Sequence, residues 1–90
     1  MSIDPGVVER MESIFNRRII ELLLLLRQKK GIPLHMAIEI VGEDMIHNLL
    51  NSRIIDLRRT NETITVYITY PKGELISKAI YEIYTALREE

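Results

Sequence analysis

Residues 38–73 read IEIVGEDMIHNLLNSRIIDLRRTNETITVYITYPKG, and the spacing of the apolar positions changes partway along this stretch. An apolar helical pattern breaks at Gly42, resumes through Met45, Ile46, Leu49 and Leu50, and stops at Asn51-Ser52. Beyond Ile54 the apolar residues recur at every second position: Ile55 and Leu57, then, past the polar tip Arg58 to Glu62, Ile64, Val66 and Ile68. A period near 3.6 giving way to a period of 2 marks helix passing into a hairpin. Gly42 predicts a corner between two short helices. The competing reading joins Pro33 to Leu50 in one rod, because an isolated helical glycine costs only about 1 kcal/mol.

The hairpin has a checkable register. If Ile55 and Leu57 face the core together with Ile64, Val66 and Ile68, facing pairs have odd summed numbers, as in Leu57 opposite Val66 or opposite Ile64. A slip of one residue would turn threonines inward, so only registers two residues apart compete. Thr63, Thr65, Tyr67 and Thr69 then form the outer face.

Upstream, Met1 to Gly6 reads as a frayed lead-in, with Asp4 suited to an N-cap and Pro5 to the first helical position. Val8, Met11, Phe15, Ile19, Leu22 and Leu26 keep a spacing of three and four, which predicts one long helix from about residue 7 to Lys30, stopped by Gly31. Its first half is expected to project and find a partner. Its second half, Ile19 to Leu26, is apolar on nearly every side and reads as a buried helix, with a coiled-coil segment as the alternative. Ile32-Pro33 is expected to open the next helix, with Leu34, Ala37, Ile38 and Val41 inward and His35 and Glu39 outward. Downstream, Pro71 and Gly73 end the second strand, and Glu74 to Arg88 predicts a last helix with a broad apolar side.

Ninety residues make one domain, 1–90, whose first sixteen residues read as an extension used in dimerisation. Apolar residues are 47% of the chain, more than a core of this size absorbs, and that surplus points to a second copy. Twelve basic against thirteen acidic side chains leave a net charge of −1, so non-specific attraction to nucleic acid has to come from a local patch. The apolar run Ile19 to Leu26 contains Glu21 and is far shorter than the roughly 20 residues of a membrane span. No signal peptide is read at the N-terminus, and the expected location is cytoplasmic.

The order helix, helix, helix, hairpin, helix resembles the winged helix-turn-helix domains of MarR, ArsR and PadR-type regulators and of small archaeal DNA-binding proteins. Residues 49–56, LLNSRIID, look like the end of their recognition helix entering the first wing strand. Residues 70–76, YPKGELI, are similar to the Leu-Thr-Pro-Lys-Gly-x-x-Leu pattern that closes the wing, with Tyr70 standing where the family places a capping threonine. The resemblance covers about Arg18 to Leu87. It implies an α+β, mostly helical domain of order α-α-α-β-β-α, with a long N-terminal and a C-terminal helix, acting as a dimeric DNA-binding transcription regulator.

On the implied recognition helix, Asp44, His47, Asn48 and Asn51 form one polar stripe without arginine or lysine. Asn48 and Asn51 have the chemistry to pair with adenine, and His47 to reach a base edge or phosphate. The bland alternative is a solvated helix face. Phosphate neutralisation falls to Arg58 and Arg59 at the wing tip, Arg53 and Lys72 at its base and Lys29-Lys30 behind, opposed by Glu43, Asp44 and Glu62. Dimer contacts are expected from Val8, Met11 and Phe15 with Ile80, Ile83, Tyr84 and Leu87.

Expected partners are double-stranded DNA and a second copy. The alternative is a protein-interaction module serving as a small accessory subunit of a larger assembly. No cysteine is present, the two histidines His35 and His47 stand on different helices, and Ser13, Ser52 and Ser77 lie in no nucleophile motif. No catalytic residue, metal site or cofactor is expected, and the chain does not read as an enzyme.

Overall fold

A computed structural model describes residues 2–89 of the chain; Met1, where the expected lead-in starts, and Glu90, where the expected domain ends, lie outside the described residues. Its elements are α1 (Pro5–Ile14), α2 (Arg17–Lys29), β1 (Ile32–Pro33), α3 (Leu34–Val41), α4 (Glu43–Asn51), β2 (Ile55–Thr60), β3 (Thr63–Ile68) and α5 (Lys72–Arg88). The strands form one antiparallel sheet of order β1-β3-β2. Ile19, Leu22, Leu23 and Leu26 of α2 are buried against Ala37 and Val41 of α3, Ile46 and Leu49 of α4, and Ile54, Ile55 and Val66 of the hairpin. The run that is apolar on nearly every side is therefore the central helix of the chain's own core.

The corner at Gly42 is real. Its φ of 88° is a conformation that L side chains rarely adopt, and it turns α3 into α4 with no continuous rod between Pro33 and Leu50. The hairpin register is also as expected, with Leu57 opposite Val66 and Ile55 opposite Ile68. Thr63 and Tyr67 consequently lie on the side away from the core.

Several local expectations are corrected. The single N-terminal helix is two helices. Phe15 leaves helical geometry, and Asn16 is extended, its side-chain oxygen accepting from the Ile19 backbone N–H at 3.0 Å. Asparagine competes for backbone donors and favours a cap over a helix interior, so it starts α2 afresh. At the N-terminus the expected cap holds, Asp4 accepting from Gly6 N–H at 2.9 Å with Pro5 the first residue of α1, so the lead-in ends before Pro5 and not at Gly6.

Ile32-Pro33 forms an edge strand instead of opening α3, with Ile32 opposite Val66 and Pro33 opposite Thr65. An edge position tolerates a residue without an N–H, and left-handed Lys30 together with Gly31 turns the chain into it.

The cap of α5 comes from Thr69, not from position 70. The Thr69 hydroxyl donates to the carbonyls of Arg53 and Ile54 and accepts from Gly73 N–H at 3.0 Å. One side chain thus joins the entry of β2, the exit of β3 and the start of α5. At the same first turn of α5, Arg27 ties α2 to α5. It donates to Glu74 at 3.0 Å and to the buried Ser77 hydroxyl at 3.2 Å, and lies 5.7 Å from the Tyr81 ring centroid.

Candidate nucleic-acid interface

α4 presents two faces because its polar and apolar residues alternate at helical spacing. Ile46 and Leu49 are buried, while Asp44, His47, Asn48 and Asn51 are exposed. Glu43 and Asp44 occupy its first turn, where the helix dipole favours them. They also place two negative charges at the end of the helix that a phosphate would otherwise approach. The stripe is not uniform in its surroundings. Asn48 and Asn51 line a cleft of about 400 Å³ together with Glu12 and Ser13 of α1 and Asn16 of the α1–α2 break. Sequence reasoning missed this neighbour, because it depended on the chain bending at Asn16.

The cationic residues expected to serve one surface lie in separate places. Arg53 and Lys72 are at the base of the hairpin, where they line a cleft of about 490 Å³ with Leu50, Asp56 and Tyr70. Arg58 and Arg59 are at the other end of β2, a six-residue strand. At about 3.3 Å per residue, the strand from Ile55 to Arg59 sets the tip arginines about 13 Å from the base of the hairpin. Arg53 has φ 60°, a left-handed conformation unusual for a non-glycine residue, and the Thr69 hydroxyl bonds to its carbonyl.

The two tip arginines also differ from each other. Arg58 pairs with Thr65 and Arg59 with Ile64, so they project from opposite faces of the hairpin. The Arg58 guanidinium lies over the Tyr67 ring, 5.2 Å from its centroid. Asn61, with φ 57°, and Glu62 make the turn, so an acidic residue follows the two arginines at the tip of the hairpin. Lys30, at the end of α2, borders a cleft with Tyr67, Ile68 and Glu74.

The residues expected at a dimer contact divide as well. Val8, Met11, Phe15, Ile83, Tyr84 and Leu87 are exposed, whereas Ile80 is 4% exposed and belongs to the core. Ile80 is therefore withdrawn from that surface. Its burial follows from α5 packing on α2, which spacing along α5 alone does not reveal. No residue of α1 is buried.

Among the described residues, no group of three or more histidine, cysteine or acidic side chains is placed to hold a metal ion. None of the described helices is long and apolar enough to cross a membrane.

No protein-family model matches the sequence, and no curated protein matches it. Among solved structures the chain is similar to the crystal structure of the transcriptional repressor BigR from Xylella fastidiosa. The TM-score is 0.55 at 18% sequence identity, over 89% of this chain and 88% of that one. The helix corner at Gly42, the three-stranded sheet with its extended β2–β3 hairpin, and this likeness over nearly the whole length together give the chain a winged-helix fold.

Proposed function

We propose that this winged helix binds double-stranded DNA as a homodimer and acts as a transcription regulator. The observation that carries the reading is the exposed stripe His47, Asn48 and Asn51 on the helix that follows the Gly42 corner, with an arginine-bearing hairpin beside it in the same rigid core. The similar structure is that of a protein titled a transcriptional repressor, which supports the same class.

In this reading α4 enters the major groove, Asn48 and Asn51 address base edges, and His47 reaches a base edge or phosphate. Arg53, Arg58, Arg59 and Lys72 neutralise phosphates. A single copy offers few such contacts and carries Glu43, Asp44 and Glu62 nearby, so useful affinity needs two copies. The exposed apolar faces of α1, with Val8, Met11 and Phe15, and of α5, with Ile83, Tyr84 and Leu87, supply the contact. The pairing then sets the two α4 helices about 34 Å apart, one turn of DNA.

Fluorescence anisotropy with random duplexes across a salt series tests this. Binding at low salt that weakens steeply as salt rises is the expected result. No binding to any duplex at low salt would overturn the reading and leave the fold as a protein-interaction module.

A further inference from the structure

α1 is attached to the rest of the chain by very little. Among the described residues no side chain of α1 forms a hydrogen bond or ion pair with a later helix or strand; the only such link is Asn16 Nδ2, in the break, donating to the Ser13 carbonyl at 3.2 Å. Its apolar link to the core is half-buried Ile14 at its last position. The place it occupies is nevertheless specific. Glu12 and Ser13 form one side of the cleft of about 400 Å³ whose other side is the C-terminal half of α4, with Asn48, Asn51 and Ser52. Water reaches those asparagines, but a duplex is far larger. An α-helix with its side chains is about 10–12 Å across, and the major groove is about 12 Å wide. A groove that admits α4 therefore has no room for a second helix beside it. Residues 4–15 also carry Asp4, Glu9 and Glu12 against Arg10 alone, so this helix repels the phosphates that wall the groove.

We propose that α1, as it sits in the single chain, is an autoinhibitory arm over the reading end of α4, and that pairing with a second copy lifts it away. The inference rests on the DNA-binding reading above and names how that site is regulated. The arm turns on the break at Phe15 and Asn16, where Phe15 leaves helical geometry and Asn16 is extended. Asn16 caps α2 with its own side chain, so α2 keeps its start wherever α1 goes. The second copy supplies the driving force. Val8, Met11 and Phe15 are exposed in the single chain, so moving α1 onto an apolar surface of the mate gives up the small contact at Ile14 and buries three larger ones. His47 does not line the cleft and stays accessible throughout. A single copy thus touches DNA weakly without presenting its two asparagines, and the dimer presents all three residues.

The full chain contains no cysteine, so Ser13→Cys combined with Ser52→Cys introduces its only two thiols, one on each side of the cleft. A short bismaleimide then tethers α1 to α4. The control is the same variant with N-ethylmaleimide on both cysteines, and circular dichroism confirms that both forms are folded. The tether is expected to form within one chain. The tethered protein should bind random duplexes at low salt at least about tenfold more weakly than the control, because the binding-competent arrangement is no longer populated. The control should bind like wild type. Nitroxides on the same two cysteines give a second readout by double electron–electron resonance. The dilute free chain should show one short distance, which lengthens when a duplex is added. A tethered protein that binds as tightly as the control, a tether that forms only between two copies, or a nitroxide distance unchanged by the duplex overturns the autoinhibitory arm alone. Failure of the wild type to bind any duplex overturns it together with the function it rests on.

Discussion

Gly73, in the first turn of α5, lies against the backbone carbonyl of Ile54 so closely that a Cβ there would overlap it. The contact locks the start of α5 onto the point where α4 gives way to β2, and Thr69 bonds to both residues. Gly73→Ala should therefore destabilise the fold by about 1–3 kcal/mol, as forced overpacking does. Thr69→Val should cost about 1 kcal/mol through the lost cap. Urea denaturation followed by circular dichroism measures both. A Gly73→Ala protein as stable as wild type would show that the two segments separate at little cost.

The two N-terminal helices should respond differently to losing their caps. Asn16 caps α2, whose side chains form the centre of the core, whereas Asp4 caps α1, which touches the core only through half-buried Ile14 at its far end. Asn16→Ala is expected to cost about 1 kcal/mol, which lowers the melting temperature by about 4–8 °C in a domain of this size. Asp4→Ala should leave the melting temperature of the monomeric core nearly unchanged. Equal shifts for the two variants would mean that α1 and α2 unfold as one unit.

Phe15 and Leu87 are 42% and 60% exposed, and neither supports the core of its own chain. Phe15→Glu combined with Leu87→Glu should shift sedimentation from dimer to monomer while leaving the circular dichroism spectrum intact. Ile80→Ala is expected to behave in the opposite way, lowering stability by about 2–5 kcal/mol as truncation of a buried aliphatic does. A double glutamate variant that still sediments as a dimer would place the contact elsewhere.

On α4 the prediction separates base reading from charge. Asn48→Ala and Asn51→Ala should each reduce discrimination between a preferred duplex and a mismatched one by about 1–3 kcal/mol, with the dependence on salt unchanged. Asp44→Asn removes a negative charge from the approach to phosphate and should tighten binding to every duplex alike. Anisotropy titrations at several salt concentrations distinguish these outcomes. Asparagine variants that change the salt slope but not the discrimination would remove the base-reading role.

The legible part of this protein was the part written in local period. Alternation from Ile55 to Ile68 specified the register, since only one parity keeps threonine out of the core, and Gly42 marked a corner because no side chain opposes its left-handed turn. The opposite faces of Arg58 and Arg59 were readable from the same alternation. Four features were not local. The break at Asn16 was masked because apolar spacing continued across it; the bend is a choice between a helical backbone bond and a side-chain cap, and packing of α2 decides it. Ile32-Pro33 became a strand through pairing with Val66 and Thr65, residues more than thirty positions away. Ile80 went inward, and Thr69 rather than its neighbour became the cap, because of how α5 docks on α2 and on Ile54. Sequence alone determined the corner at Gly42, the β2–β3 hairpin and the faces that α4 and the hairpin bury. Only the tertiary structure decided which polar groups share a surface, because that depends on contacts between segments whose separation along the chain carries no periodic signal.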